Sequence, residues 1–204
     1  MKRFSLLAAY FLVCVVSGSS AEIYQGIVPY SSLGDVKKLF PKARFKKMDP
    51  AWAQERDAMY TVTGKGIAGT IVIKFNDYRP VFRKRLEEAS DNDVKGYLKP
   101  LSEESEDDAL VVVWVRWVPD VPFPVERIIA RYGTPERSDF SPEDFQPQKI
   151  WDSRGILATL SDDGKNVFSI EYEFTDKEWK DAWEAKQRRL DDAIQETIQP
   201  KQVQ

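Results

Sequence analysis

Histidine is absent from the 204 residues and cysteine occurs once, and those two scarcities exclude more chemistry than any motif adds. Without imidazole, the Ser-His-Asp and Cys-His nucleophile arrangements and every histidine-containing zinc site are ruled out. Positive charge is also in short supply: 30 Lys plus Arg stand against 33 Asp plus Glu, a formal charge of −3. An acidic chain argues against nucleic acid or anionic lipid as the main partner, since both call for a positive surface. Nothing in the sequence calls for a cofactor or a metal.

What is present begins with an export signal. Met1, Lys2 and Arg3 precede an apolar run from Phe4 to Val16, then Ser19 and Ala21 at the −3 and −1 positions of a peptidase site. The run, about 13 residues, is shorter than the roughly 20 a membrane span needs, so cleavage after Ala21 is expected and no transmembrane span in the mature chain. Cys14 follows Val13, not the small residue of a lipoprotein signal. Removing residues 1–21 takes away Lys2, Arg3 and the only thiol, leaving 28 basic against 33 acidic residues, a charge of −5. The expected location is the periplasm or the exterior. With no disulfide available, stability must come from apolar burial.

The remainder repeats one order of signals, strand, helix, hairpin, helix. In the first copy, Glu22 to Val28 reads as a strand, and Ser31 or Ser32 caps a helix through Leu33, Val36, Leu39 and Phe40 that Pro41 ends. A polar connector leads to a hairpin, Ala58 to Thr63 and Gly69 to Phe75 around Gly64-Lys65-Gly66, before a helix capped by Asn76-Asp77. The second copy opens with Leu110 to Val118, apolar on both faces and so a central strand. A helix through Val125, Ile128, Ile129 and Tyr132 closes at Gly133-Thr134-Pro135. Strands follow at Gln148 to Trp151, Gly155 to Leu160 and Val167 to Phe174, the last two joined at Asp162-Asp163-Gly164. A final helix capped by Thr175 or Asp176 carries the stripe Trp179, Trp183, Leu190, Ile194 and Ile198.

The expected fold is therefore α+β, two tandem related units, each a small antiparallel sheet packed with helices. The first unit spans 22–100, an acidic solvated linker 101–108, the second unit 109–198, and a frayed tail 199–204. The run Ser32 to Pro41, and more closely Pro124 to Pro135, resembles the helix that opens modules of the SmpA/OmlA and β-lactamase-inhibitor-protein types. That resemblance implies helices on an antiparallel sheet, in tandem for the inhibitor type, and a role in gripping other proteins in the envelope or outside the cell. This chain lacks the lipid-attachment cysteine and the disulfide pair of those families.

Three chemical candidates stand out. Glu171 and Glu173 share one strand face about 7 Å apart, a spacing compatible with an inverting glycosidase and equally with a half-exposed strand. Arg116 interrupts an apolar run between Trp114 and Trp117, so either an internal carboxylate such as Glu126 or a strand acid answers it, or the three line an exposed binding patch. Gly64-Lys65-Gly66 and Asp162-Asp163-Gly164 read as turns and not as phosphate or cation sites. The expected activity is capture of another envelope or extracytoplasmic protein, as adaptor or inhibitor, and not catalysis. The alternatives are a carboxylate-dependent hydrolase of envelope polysaccharide and a small-ligand carrier.

Overall fold

The structure, a computed structural model, describes residues 26–50 and 56–184. The signal segment 1–21, the stripe positions Leu190, Ile194 and Ile198, and the tail 199–204 lie outside the described residues. The fold is α+β. No helix among the described residues is long and apolar enough to cross a membrane.

Ser32 starts the first helix, α1 (Leu33–Leu39), with a reciprocal cap: its hydroxyl accepts from the Asp35 amide, and the Asp35 carboxylate accepts from the Ser32 amide. Two of the orphan donors at the helix start are thus satisfied. Three strands follow, β1 (Ala43–Met48), β2 (Asp57–Gly64) and β3 (Thr70–Asp77). Helices α2 (Arg79–Glu88), α3 (Asn92–Ser102) and the single turn α4 (Glu106–Ala109) lead to β4 (Leu110–Val118) and the short β5 (Phe123–Pro124). Helix α5 (Val125–Tyr132) precedes β6 (Arg137–Phe140), β7 (Pro147–Trp151), β8 (Ile156–Leu160) and β9 (Asn166–Glu173). A last helix, α6, occupies residues 176–184.

The strands join one antiparallel sheet in the order β1-β2-β3-β4-β9-β8-β7-β6, with β5 also paired to β9. The strands expected to make two small sheets are thus continuous, and β4 is the seam between β3 and β9. Registration places Tyr60, Ile73, Val115, Tyr172, Ile156 and Trp151 side by side on the inner face. All six are buried, and Leu33 and Val36 of α1 share their core with Val125 and Ile128 of α5. Both helices therefore cover the same face of the sheet.

The principal correction concerns β4. Lys74 pairs with Trp114 but Phe75 pairs with Val112, leaving Val113 as an extra residue in a β-bulge. A bulge shifts the alternation of side chains by one. Before it the even positions Leu110 and Val112 are buried; after it the odd positions Val115 and Trp117 are. Trp114 and Arg116 are consequently turned to the outer face and are only half-buried. An uninterrupted alternation from Leu110 would have put the guanidinium in the core.

Other differences have similarly local causes. The polar connector contains β1, an edge strand whose Arg44, Lys46 and Lys47 are exposed. Edge strands carry charge where central ones cannot, which hides them from an apolar pattern. Helix α3 runs through both Gly96 and Pro100, residues that normally argue against a helix, and starts from an Asp91 cap. The cap of α2 is Tyr78, while Asp77 beside it accepts from the Arg79 amide and guanidinium. Segment 101–108, expected as a solvated linker, straps the first half of the molecule. Glu106 accepts from Lys47 at 2.9 Å and from the Tyr60 hydroxyl at 3.1 Å, Asp107 pairs with Lys37 at 2.6 Å, and Glu104 accepts from Tyr78 at 2.7 Å.

Candidate functional site

The outer face begins with a row of residues placed side by side by the strand register: Lys46, Thr61, Val72, Arg116, Glu171, Leu157, Ile150 and Arg137, from one edge of the sheet to the other. A second row places Lys74, Trp114 and Glu173 beside them. Val72, Trp114, Arg116 and Leu157 are each half-buried. This is a mixed surface, with apolar patches separated by charge.

The acid that answers Arg116 is Glu171, its direct cross-strand partner: Nη2 donates to Oε1 at 2.5 Å. Glu126, the other sequence candidate, lies exposed on α5. The Arg116 side chain keeps 41% of its surface exposed and Glu171 19%, so solvent screens the pair and its net contribution is small. The guanidinium also sits 5.0 Å over the Trp114 ring, a cation–π contact. Its Nε is out of reach of solvent and has no acceptor among the described residues.

Trp117 is not part of this group. Its ring is buried on the inner face, donates its Nε1–H to the Ala68 carbonyl at 2.8 Å, and meets Phe123 edge-on at 5.1 Å. Of the three residues that the sequence brought forward for binding, the structure brings Trp114 and Arg116 together and assigns Trp117 to packing. Their odd spacing of three separates them by strand alternation alone, and the bulge at Val113, which no composition rule announces, decides which of the two faces inward.

Glu171 and Glu173 do share a face, and both line a trough of about 530 Å³ with Leu157, Ile150, Asp152 and Lys177. Glu171 is engaged by the Arg116 guanidinium. The Glu173 carboxylate has no hydrogen-bond or ion-pair partner among the described residues, while its backbone amide donates to the Gly155 carbonyl at 2.8 Å. Gly155 shapes the floor of the trough: its φ of +60° is left-handed, and a Cβ there would collide with the Glu173 carbonyl. Only glycine lets β8 begin this close to the end of β9.

Beside the trough a smaller pocket of about 310 Å³ is lined by Lys74, Asn76, Val113, Trp114, Glu173, Phe174 and Trp179. Trp179 reaches it from α6, held edge-on by Phe174 at 5.4 Å and Tyr30 at 5.0 Å. Helix α6 is positioned by a second reciprocal cap, in which Thr175 donates to the Glu178 carboxylate and the Glu178 amide donates back to the Thr175 hydroxyl. The expected stripe splits here: Trp179 is half-buried against the core, while Trp183 is 49% exposed. No protein-family model, curated protein or solved structure matches this chain.

Proposed function

We propose that this is an exported envelope or periplasmic binding protein, an adaptor or inhibitor, that captures another protein on the outer face of its sheet and performs no catalysis. The observation that carries this reading is the bulge at Val113, which spends the regularity of the central strand on turning a tryptophan and an arginine outward. Tryptophan and arginine dominate the energetics of protein interfaces, and bulges recur where a side chain must be re-aimed for function. A basic start, an apolar run and small residues before Glu22 support export, with the mature chain beginning at Glu22. Two tandem units are supported by the recurrence of helix, hairpin and helix around α1, β2–β3 and α2, and again around α5, β8–β9 and α6. In this reading β4 joins the units.

The double variant Arg116→Met, Glu171→Leu tests the proposal, because apolar replacement of both members of a paired charge usually preserves stability. Crosslinking in intact envelope followed by affinity recovery is expected to yield a protein partner with the native chain and to lose it with the variant, at an unchanged thermal midpoint. Recovery of the same partner by both proteins, or of none by the native chain, overturns the reading. Mass analysis of the mature protein is expected to place its first residue at Glu22.

A further inference from the structure

We propose that the pocket between Trp114, Phe174 and Trp179 receives a basic side chain of the captured protein, its guanidinium or ammonium group meeting the Glu173 carboxylate. The inference rests on the outer face being the capture surface and names what that surface recognises.

A census of charge around the pocket points to a cation. Lys74, the basic residue of the lining, already pairs with Asp57 at 3.0 Å. Arg116, against the Trp114 ring, is neutralised by Glu171. Asn76 is uncharged. The exposed carboxylate of Glu173 remains, without a partner among the described residues, directly across the strand pair from Trp114. The pocket therefore offers aromatic rings and one uncompensated negative charge, inside a chain that is acidic overall.

Desolvation decides between possible occupants. Glu173 is exposed, and an apolar group filling the pocket would strip part of the water from its carboxylate and give it nothing in return, an unfavourable exchange. An anion would add repulsion. A cation compensates the carboxylate while its apolar stem lies along the indole rings, and the rings attract the charge itself. Arginine and lysine side chains share this chemistry. Glu173 and Phe174 also belong to the trough, so a segment seating a basic residue in the pocket has a continuous path toward Leu157 and Ile150.

The test is a titration of the purified protein with N-acetyl-arginine methylamide, followed by the indole N–H resonances of Trp114 and Trp179, assigned through Trp114→Phe and Trp179→Phe. The neutral isostere N-acetyl-citrulline methylamide serves as control and the lysine analogue as a second arm. Saturable shifts are expected with the arginine or lysine probe, weaker by about fivefold with citrulline and by about fivefold again for arginine on Glu173→Gln, the factor an exposed charge pair supplies. Equal response to charged and neutral probes, no response, or undiminished binding by Glu173→Gln overturns the pocket. The titration needs no partner: if it succeeds while envelope capture fails, the pocket stands and the wider reading falls, and the reverse result leaves capture standing without the pocket.

Discussion

The two sides of β4 differ more than two strands usually do. On the inner side Leu110, Val112, Val115 and Trp117 are buried within one core that both α1 and α5 cover. On the outer side Trp114 and Arg116 are half-exposed, and the guanidinium lies over the Trp114 ring and pairs with Glu171. The same nine residues thus supply a buried face and a half-exposed one. The comparison teaches that residue type does not decide the role here. Trp114 and Trp117 are three positions apart in an apolar run, and only the phase of the strand distinguishes them.

The sharpest way to break the comparison is to insert one alanine between Val115 and Arg116. The added residue reverses the alternation beyond it and drives Arg116 inward and Trp117 outward, whereas deleting Val113 only restores a regular ladder with the same residues inward. The expected result of the insertion is loss of cooperative folding, read by thermal or denaturant melts, and of the deletion a fold that still melts cooperatively. Trp117→Ala should follow, costing about 3–5 kcal/mol as a large aromatic removed from a packed core, measured by urea denaturation. Arg116→Ala should cost about 1 kcal/mol, because the ion pair it breaks is partly screened. A much larger loss would mean that the outer face is as dry as the inner one. Trp114→Ala should lie below Trp117→Ala by at least about 2 kcal/mol, the difference between truncating a half-exposed and a buried ring.

The smallest effect is electrostatic and separates the strap from both faces. The Lys47 ammonium bonded to Glu106, with help from Tyr60, holds that carboxyl below its ordinary value of 4.5. Its contribution to stability is therefore complete above pH 4.5 and is lost as pH falls through the lowered folded value. Glu106→Gln should flatten the acid limb of a stability–pH curve and leave the neutral region little changed. Burial, reinforced by the charge of Glu106, pushes the Tyr60 hydroxyl up to about 12. That contribution is present below pH 10 and disappears as pH rises through about 12, which Tyr60→Phe should abolish.

Much of the architecture was legible because it depends on short-range chemistry. The Ser32 and Thr175 caps, the turn at Asp162-Asp163-Gly164 and the alternation of β2, β3, β8 and β9 all follow from residues within a few positions of one another. The edge strands β1 and β6 were not legible, since a strand paired on one side tolerates the charges of Arg44, Lys46, Arg137 and Asp139. The acidic segment looked solvated because its partners, Lys37, Lys47 and Tyr60, lie 46 to 70 residues away along the chain. For the candidate site, a carboxylate opposite Arg116 was readable from the cost of an unanswered guanidinium. Its identity as Glu171 depends on register, and which of Trp114 and Trp117 turns inward depends on one extra residue, both set by strands distant in sequence.

The bulge also sets a rule for how this segment tolerates change. Conservative replacements along residues 110–118 leave the inward and outward sets intact, and so does loss of the extra residue at the bulge, whereas a single-codon insertion or deletion elsewhere in the strand exchanges them on one side of the lesion. Length variation within the seam should therefore be far rarer than amino-acid variation, and a descendant that shortens it by one residue keeps its outward-facing indole and guanidinium only by giving up the bulge.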